Sequence, residues 1–167
     1  MTAESQSPSS RLGPGIMVLL GTILLGSISI QSAHQMAPAW GQDLAFFHQL
    51  IHSAAAGGPW SSPLLLEPQG FLDMVHTHLV LPLVVAVYWC IPRQEVLLVF
   101  QALFACLALW PAWRLAELCG ARQSAILAPL ALLAFGPFQG AAMADFRPSV
   151  LFIPGIIGVF YGAAARR

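Results

Sequence analysis

Charged side chains are scarce in this sequence, and lysine is absent altogether. Only 8% of the residues are Asp, Glu, Lys or Arg, whereas soluble domains average roughly 25%. A water-soluble fold with so little charge would leave apolar surface facing water and would aggregate. The seven arginines are scattered and form no basic run. The composition therefore argues against a soluble globular protein and against a nucleic-acid-binding surface.

Cysteine is scarce as well, with three residues at widely spaced positions, Cys90, Cys106 and Cys119. Their number is odd and no CxxC pair occurs, so the pattern gives no sign of a disulfide framework. We interpret the cysteines as small hydrophobic packing residues.

Apolar residues dominate what is present. They make up 57% of the chain, with a mean hydropathy of +0.74, which predicts an integral membrane protein. After a polar, disordered tail (residues 1–14), a membrane domain is expected over residues 15–165. It is predicted to be all-α and multi-pass, with spans at about residues 15–33, 95–113, 124–144 and 149–165. The first run could instead be a cleaved signal peptide, since Arg11 precedes it and small residues end it.

A further apolar run, Leu79–Ile91, is short for a span. Its roughly 13 residues would form a helix about 20 Å long, whereas the hydrocarbon core is roughly 30 Å thick. Extension back to Phe71 would bring Asp73, His76 and His78 into lipid, and one central Asp costs roughly 2.5–3.5 kcal/mol there. We therefore expect a re-entrant or membrane-surface helix.

The arginines support this topology. If the short helix does not cross and the N-terminus is cytoplasmic, five arginines fall inside and two outside. A crossing helix would leave three inside and four outside, which the positive-inside rule disfavours. Residues 34–94 then form an outer loop, with interfacial helices at about residues 43–56 and 72–91. Most polar side chains of the chain would lie on this outer face.

The stretch GQDLAFFHQLIH, residues 41–52, concentrates polar groups in an oily chain. His48 and His52 are four residues apart, a spacing that can hold a metal on one face of a helix. Alternatively, they form the polar side of an amphipathic helix in the headgroup region. Asp43 can act as a general base, hold a divalent cation, or cap the helix that begins there. Asp43, His48 and His52 are thus candidate metal ligands.

The stretch MADFRPSV, residues 143–150, is a second group of polar side chains. Pro148 suits the first turn of the span that follows. Asp145 can pair with Arg147, or Arg147 can face a phosphate, for which its forked donors are well suited. Both interpretations stay open on the sequence alone.

Four stretches resemble, in order and spacing, a prokaryotic family of multi-pass membrane proteins, domain of unknown function 2079. They are DLAFFHQLIHSAAAGGPW, HTHLVLPLVVAVYWCIP, VLLVFQALFACLALWPAWRLA and DFRP. The resemblance runs from about Gln42 to the C-terminus, the N-terminal part of a typical member. His76 matches the family's histidine ahead of the short apolar run. The last motif usually reads Asp-Phe-His-Pro, and Arg147 here replaces its histidine, which argues against acid–base chemistry or metal binding at that position and leaves phosphate contact open.

That family is in turn similar to the GT-C glycosyltransferases, integral membrane enzymes that use polyprenyl-phosphate-linked sugars. The resemblance implies a GT-C-like protein of the prokaryotic inner membrane, with the lipid bilayer and a lipid-linked sugar as partners. In those enzymes an acidic residue in the first outer loop serves catalysis, and Asp43 matches its position. A divalent cation is a candidate cofactor. The implied catalytic residues are Asp43 and Asp145, and the implied substrate contacts are Arg147, His76 and Gln49.

Two other function classes stay open. GT-C enzymes typically need more helices than this chain contains, so we expect an incomplete N-terminal fragment of the enzyme. The first alternative is a small non-enzymatic subunit that docks to partner membrane helices, since Gly155 and Gly158 permit close packing. The second is a transporter fragment, although no charge pair lies mid-span and no inverted repeat is visible.

Overall fold

The computed structural model describes residues 9–36, 42–60 and 80–166, and within these ranges it contains helices and no strands. The α-helices are α1 (Ser9–Met36), α2 (Gln42–Ala55), α3 (Leu81–Cys90), α4 (Gln94–Leu107), α5 (Leu109–Leu118), α6 (Leu127–Ala134), α7 (Gly136–Met143) and α8 (Ile153–Ala165). Short 3-10 helices at Arg122–Ser124 and Pro148–Phe152 precede α6 and α8.

Three helices in the described part of the chain are long and apolar enough to cross a membrane. They are Leu12–Gln35 within α1, Gln94–Leu118 through α4 and α5, and Pro148–Ala165 through the second 3-10 helix and α8. Each overlaps one predicted span, and the predicted all-α, multi-pass membrane fold is confirmed.

The short apolar run folds as α3, a helix of 10 residues. Pro82 lies in its first turn, where the missing N–H costs nothing. Pro92 follows its end and disfavours a helical residue before it. Residues 72–79, the beginning of the second predicted interfacial helix, lie outside the described residues.

The segment predicted as one span at residues 124–144 forms two short helices, α6 and α7. The break falls at Phe135, whose backbone is extended, with ψ of 112°. Two residues later, Pro137 has no N–H to donate to the carbonyl of Leu133, so the helix cannot continue through it. The side-chain amide of Gln139 donates to that carbonyl instead, at 2.7 Å. The carbonyl that the break exposes thus keeps a partner in apolar surroundings.

The α6–α7 pair follows α1 in the same direction. Leu133, near the end of α6, lies 3.5 Å from the position that a Cβ at Gly21 of α1 would occupy. At the end of α7, the carbonyl of Met143 accepts a hydrogen bond from the hydroxyl of Ser29, about two turns further along α1, at 3.5 Å. The third predicted span is therefore represented by a broken helix beside α1.

The α4–α5 helix runs antiparallel to α1. At one end, His34 Nε2 lies 3.8 Å from Glu95 Oε1. At the other end, a Cβ at Gly13 would lie 3.2 Å from the ring of Trp113. The end of the bundle that carries His34 and Glu95, here called the His34 end, also holds the loop between α7 and α8.

At the His34 end, α2 packs against α3 and α4. Leu50 of α2 is fully buried, in one apolar cluster with Leu97 of α4. Phe146, from the loop between α7 and α8, is fully buried in the same cluster. This packing brings the described parts of the two polar stretches, residues 42–52 and 143–150, to one surface of the protein.

Candidate active site

Asp145 caps helix α2 from a distant part of the chain. Its Oδ2 accepts a hydrogen bond from the N–H of Asp43 at 2.9 Å, and its Oδ1 accepts one from the N–H of Leu44 at 2.8 Å. The N–H of Phe146 also donates to Oδ1, at 3.0 Å. The first N–H groups of a helix have no partner within it, and the helix dipole favours a carboxylate there. Among the described residues the cap is thus supplied by Asp145, whereas Asp43 lies inside the first turn of α2.

Asp43 forms an exposed ion pair with Arg147. Asp43 Oδ2 lies 3.8 Å from Arg147 Nε, and the two side chains are 53% and 62% exposed. An ion pair with this exposure contributes little to stability, at most about 1 kcal/mol. Both charged groups are therefore accessible to a ligand and can exchange the ion pair for contacts with it.

The buried amide of Gln101 fixes the loop that carries Asp145 and Arg147. Gln101 is fully buried in α4. Its Nε2 donates to the carbonyls of Ala141 and Ala144, both at 3.1 Å, and its Oε1 accepts the N–H of Arg147 at 2.6 Å. Three backbone groups at the end of α7 and in the loop that follows it are thereby satisfied by one side chain in apolar surroundings. Gln101 is not among the site residues predicted from the sequence, although an uncharged polar group inside a predicted span is a signal for interhelical hydrogen bonding.

The predicted catalytic and substrate-contact residues separate into three groups. The structure brings Asp43, Asp145 and Arg147 together at the His34 end. Gln49 lies half-buried on α2. His76 lies outside the described residues, so the substrate contact predicted for it stays a prediction.

The two histidines of α2 meet a tyrosine of α3. The hydroxyl of Tyr88 lies 2.8 Å from Nε2 of His48 and 3.4 Å from Nδ1 of His52. Burial lowers the pKa of His48 from its ordinary value of 6.5, the neighbouring His52 lowers it further, and Glu95 acts in the opposite direction. The neutral imidazole of His48 therefore predominates at neutral pH.

The metal site considered for Asp43, His48 and His52 is not assembled. Within the described ranges, no three His, Cys, Asp or Glu side chains converge as ligands for a metal ion. The reason is helical geometry: residues five apart lie more than one turn apart and face different directions, at about 100° per residue. Asp43 consequently faces Arg147, while the histidines face Tyr88.

The fold defines a multi-pass membrane protein whose polar contacts, described above, lie at the His34 end. Residues 40–167 match the family described as "Predicted membrane protein (DUF2079)". The chain belongs to that family, which confirms the resemblance drawn from its motifs. No curated protein and no solved structure matches the chain.

Proposed function

We propose that the His34 end carries the acceptor-activating part of a membrane glycosyltransferase of the GT-C type, with a polyprenyl-phosphate-linked sugar as donor. The observation that supports this most directly is the exposed ion pair of Asp43 and Arg147, 3.8 Å apart, in which Asp43 follows the first span and Arg147 directly precedes the last one. A base and a phosphate-binding cation side by side can act on the acceptor hydroxyl and on the lipid phosphate of such a donor.

In the proposed reaction, the carboxylate of Asp43 takes the proton of an acceptor hydroxyl. The hydroxyl oxygen forms a bond to the anomeric carbon of the sugar, and the bond from that carbon to the phosphate oxygen breaks. The lipid phosphate leaves with the electron pair of that bond. Arg147 stabilises the negative charge of the leaving phosphate by donating paired hydrogen bonds from its guanidinium group.

Asp145 is better suited to positioning than to proton transfer. Both of its carboxylate oxygens accept backbone N–H groups, and two of those belong to the first turn of α2. A carboxylate engaged in this way keeps Asp43 at a fixed place relative to Arg147. We therefore assign Asp43 as the base and Asp145 as the residue that orients it.

The test is sugar transfer in native membranes, so that any further part of the enzyme is present together with this chain. A set of undecaprenyl-phosphate-linked radiolabelled hexoses serves as donor, and label in the acceptor fraction is measured. Asp43→Asn is expected to lower the rate about 100-fold or more, because it removes the base. Arg147→Gln is expected to raise the donor KM.

Glu95→Gln is the matched control, since Glu95 is an acid at the same end with a partly exposed side chain (34%). It is expected to retain normal transfer. An Asp43→Asn protein that transfers sugar at the normal rate would contradict the assignment of the base.

A non-enzymatic docking role is the second candidate, and one observation favours it. Gly155, Gly158 and Gly162 lie on α8, and a Cβ added at any of them would have no other group within 4 Å. Glycines on an open helix face allow another membrane helix to approach closely. Under this alternative, Gly158→Leu would abolish crosslinking to a membrane partner in cells. Neither the unmodified protein nor any variant would transfer sugar.

A further inference from the structure

His48, His52 and Tyr88 converge on one point, on a face of α2 that the Asp43–Arg147 pair does not use. The two imidazoles come from successive turns of α2, with ring centres 6.2 Å apart. The phenol oxygen of Tyr88 lies within 3.4 Å of one nitrogen from each ring. Tyr88 is almost completely buried, whereas His52 is exposed. The cluster is therefore anchored on the protein side and open on the other.

The contacts of Tyr88 bring its oxygen and one nitrogen of each imidazole to a single point. A phenol has one proton and can donate it to only one of the two imidazoles. The 2.8 Å contact of Tyr88 with His48 already satisfies that donor. The nitrogen of His52 lies 3.4 Å from the same oxygen, which can accept a hydrogen bond from it. Both oxygen-to-nitrogen distances are short enough for the oxygen to share one metal ion with each nitrogen, at bonds of about 2.0–2.1 Å.

We propose that His48, His52 and Tyr88 bind one divalent transition-metal ion. Imidazole nitrogen is a ligand that suits Zn²⁺ and Cu²⁺, and two histidines four residues apart on a helix present it from one face. Tyr88 supplies the third ligand as a phenolate. Binding releases the phenol proton to solvent, while both imidazoles bind as neutral groups. With three protein ligands, a fourth position of a tetrahedral ion is open on the exposed side of His52, as in catalytic zinc sites.

The proposal does not depend on sugar transfer, and it is tested on the purified full chain in detergent with Zn²⁺ as the probe. Calorimetry is expected to show one tightly bound ion per chain. The double variant His48→Gln/His52→Gln is expected to weaken binding about 100-fold or more, because it removes two of three ligands, whereas loss of a residue that only orients a ligand already costs about 10–100-fold. Tyr88→Phe removes the third ligand and is expected to weaken binding about 10-fold or more.

Two control variants address the other histidines. His34→Gln and His76→Gln/His78→Gln are expected to leave the tight Zn²⁺ site unchanged. Tight binding that survives in His48→Gln/His52→Gln, or that disappears in His76→Gln/His78→Gln, would overturn the assignment. Unchanged affinity in Tyr88→Phe would overturn the role of the phenolate, and absence of tight binding in the unmodified protein would overturn the proposal as a whole.

A second measurement does not require any variant to fold. Diethylpyrocarbonate modifies accessible histidines, and the modified positions are read by mass spectrometry. Zn²⁺ is expected to protect His52 from modification and to leave the exposed His34 reactive. Equal modification of His52 with and without Zn²⁺ would contradict the proposed site.

Discussion

The carboxylate of Asp145 accepts the backbone N–H of Asp43, although 102 residues separate the two. Together with the neighbouring contact to Leu44, this bond joins the helix after the first span to the loop before the last span. The position of Asp43 next to Arg147 therefore depends on a cap that is built from another part of the chain.

Loss of this cap is expected to destabilise the protein. Asp145→Ala would leave the first N–H groups of α2 without their acceptor, at a cost of about 1–3 kcal/mol in the free energy of unfolding. Asp145→Asn keeps one acceptor oxygen and is expected to lose less. Thermal unfolding in detergent measures both, with Glu95→Gln as a control. Unchanged stability of Asp145→Ala would contradict the capping role.

Removal of the buried amide in α4 is expected to loosen the loop before the last span. Gln101→Leu would remove the hydrogen bonds that Gln101 makes to the N–H of Arg147 and to the carbonyls of Ala141 and Ala144 in apolar surroundings. A loss of about 2 kcal/mol is expected. Gln94→Leu, at an exposed position of the same helix, is the matched control. Hydrogen exchange at Arg147 and Ala144 should accelerate in Gln101→Leu, and equal exchange in the two variants would argue against the anchor.

Close packing at Gly21 is expected to make that position intolerant of larger residues. A Cβ there would lie 3.0 Å from Sγ of Cys106. Gly21→Val is therefore expected to cost about 1–3 kcal/mol through overpacking. Gly158→Val is the control, because a Cβ at Gly158 meets no other group within 4 Å. Equal unfolding midpoints for the two variants in detergent would show that α1 does not pack this closely against α4.

The direction of the long α4–α5 helix can be tested by labelling. In a variant with its native cysteines replaced by serine, single cysteines are introduced as Gln94→Cys and Gln123→Cys, both at exposed positions. The arginine distribution predicts that position 94 lies outside and position 123 inside. A membrane-impermeant maleimide should therefore label Gln94→Cys in intact cells and Gln123→Cys only after permeabilisation. Labelling of both in intact cells would contradict a crossing at Gln94–Leu118.

Much of the candidate site could be predicted from local sequence, but its bonding could not. Asp43, Asp145 and Arg147 were identified as scarce charges next to predicted spans, and the structure brings them together. The cap predicted as one possibility for Asp43 is made by Asp145 instead. The residue that caps α2 is decided by which carboxylate the tertiary packing places at the start of the helix. Asp145 is 102 residues away from Asp43 in sequence, and no sequence periodicity indicates a contact over that distance.

Two further features depended on tertiary contacts. In the sequence, Gln101 is one polar residue in an apolar predicted helix. Its three hydrogen bonds form because α7 and the loop after it pack against α4. The break in the third predicted span has a local cause, Pro137, but the partner of the exposed Leu133 carbonyl, Gln139, emerged only from the folded chain.

The sequence by itself determined that this protein is a helical, multi-pass membrane protein of its family. Long, charge-poor apolar segments can satisfy their backbone groups in lipid by forming helices, so composition and run length were sufficient. Only the tertiary structure decided which polar groups meet: Asp43 with Arg147, and His48 and His52 with Tyr88. Those contacts arise because burial of Leu50 and Phe146 in one cluster brings separate segments to a common surface.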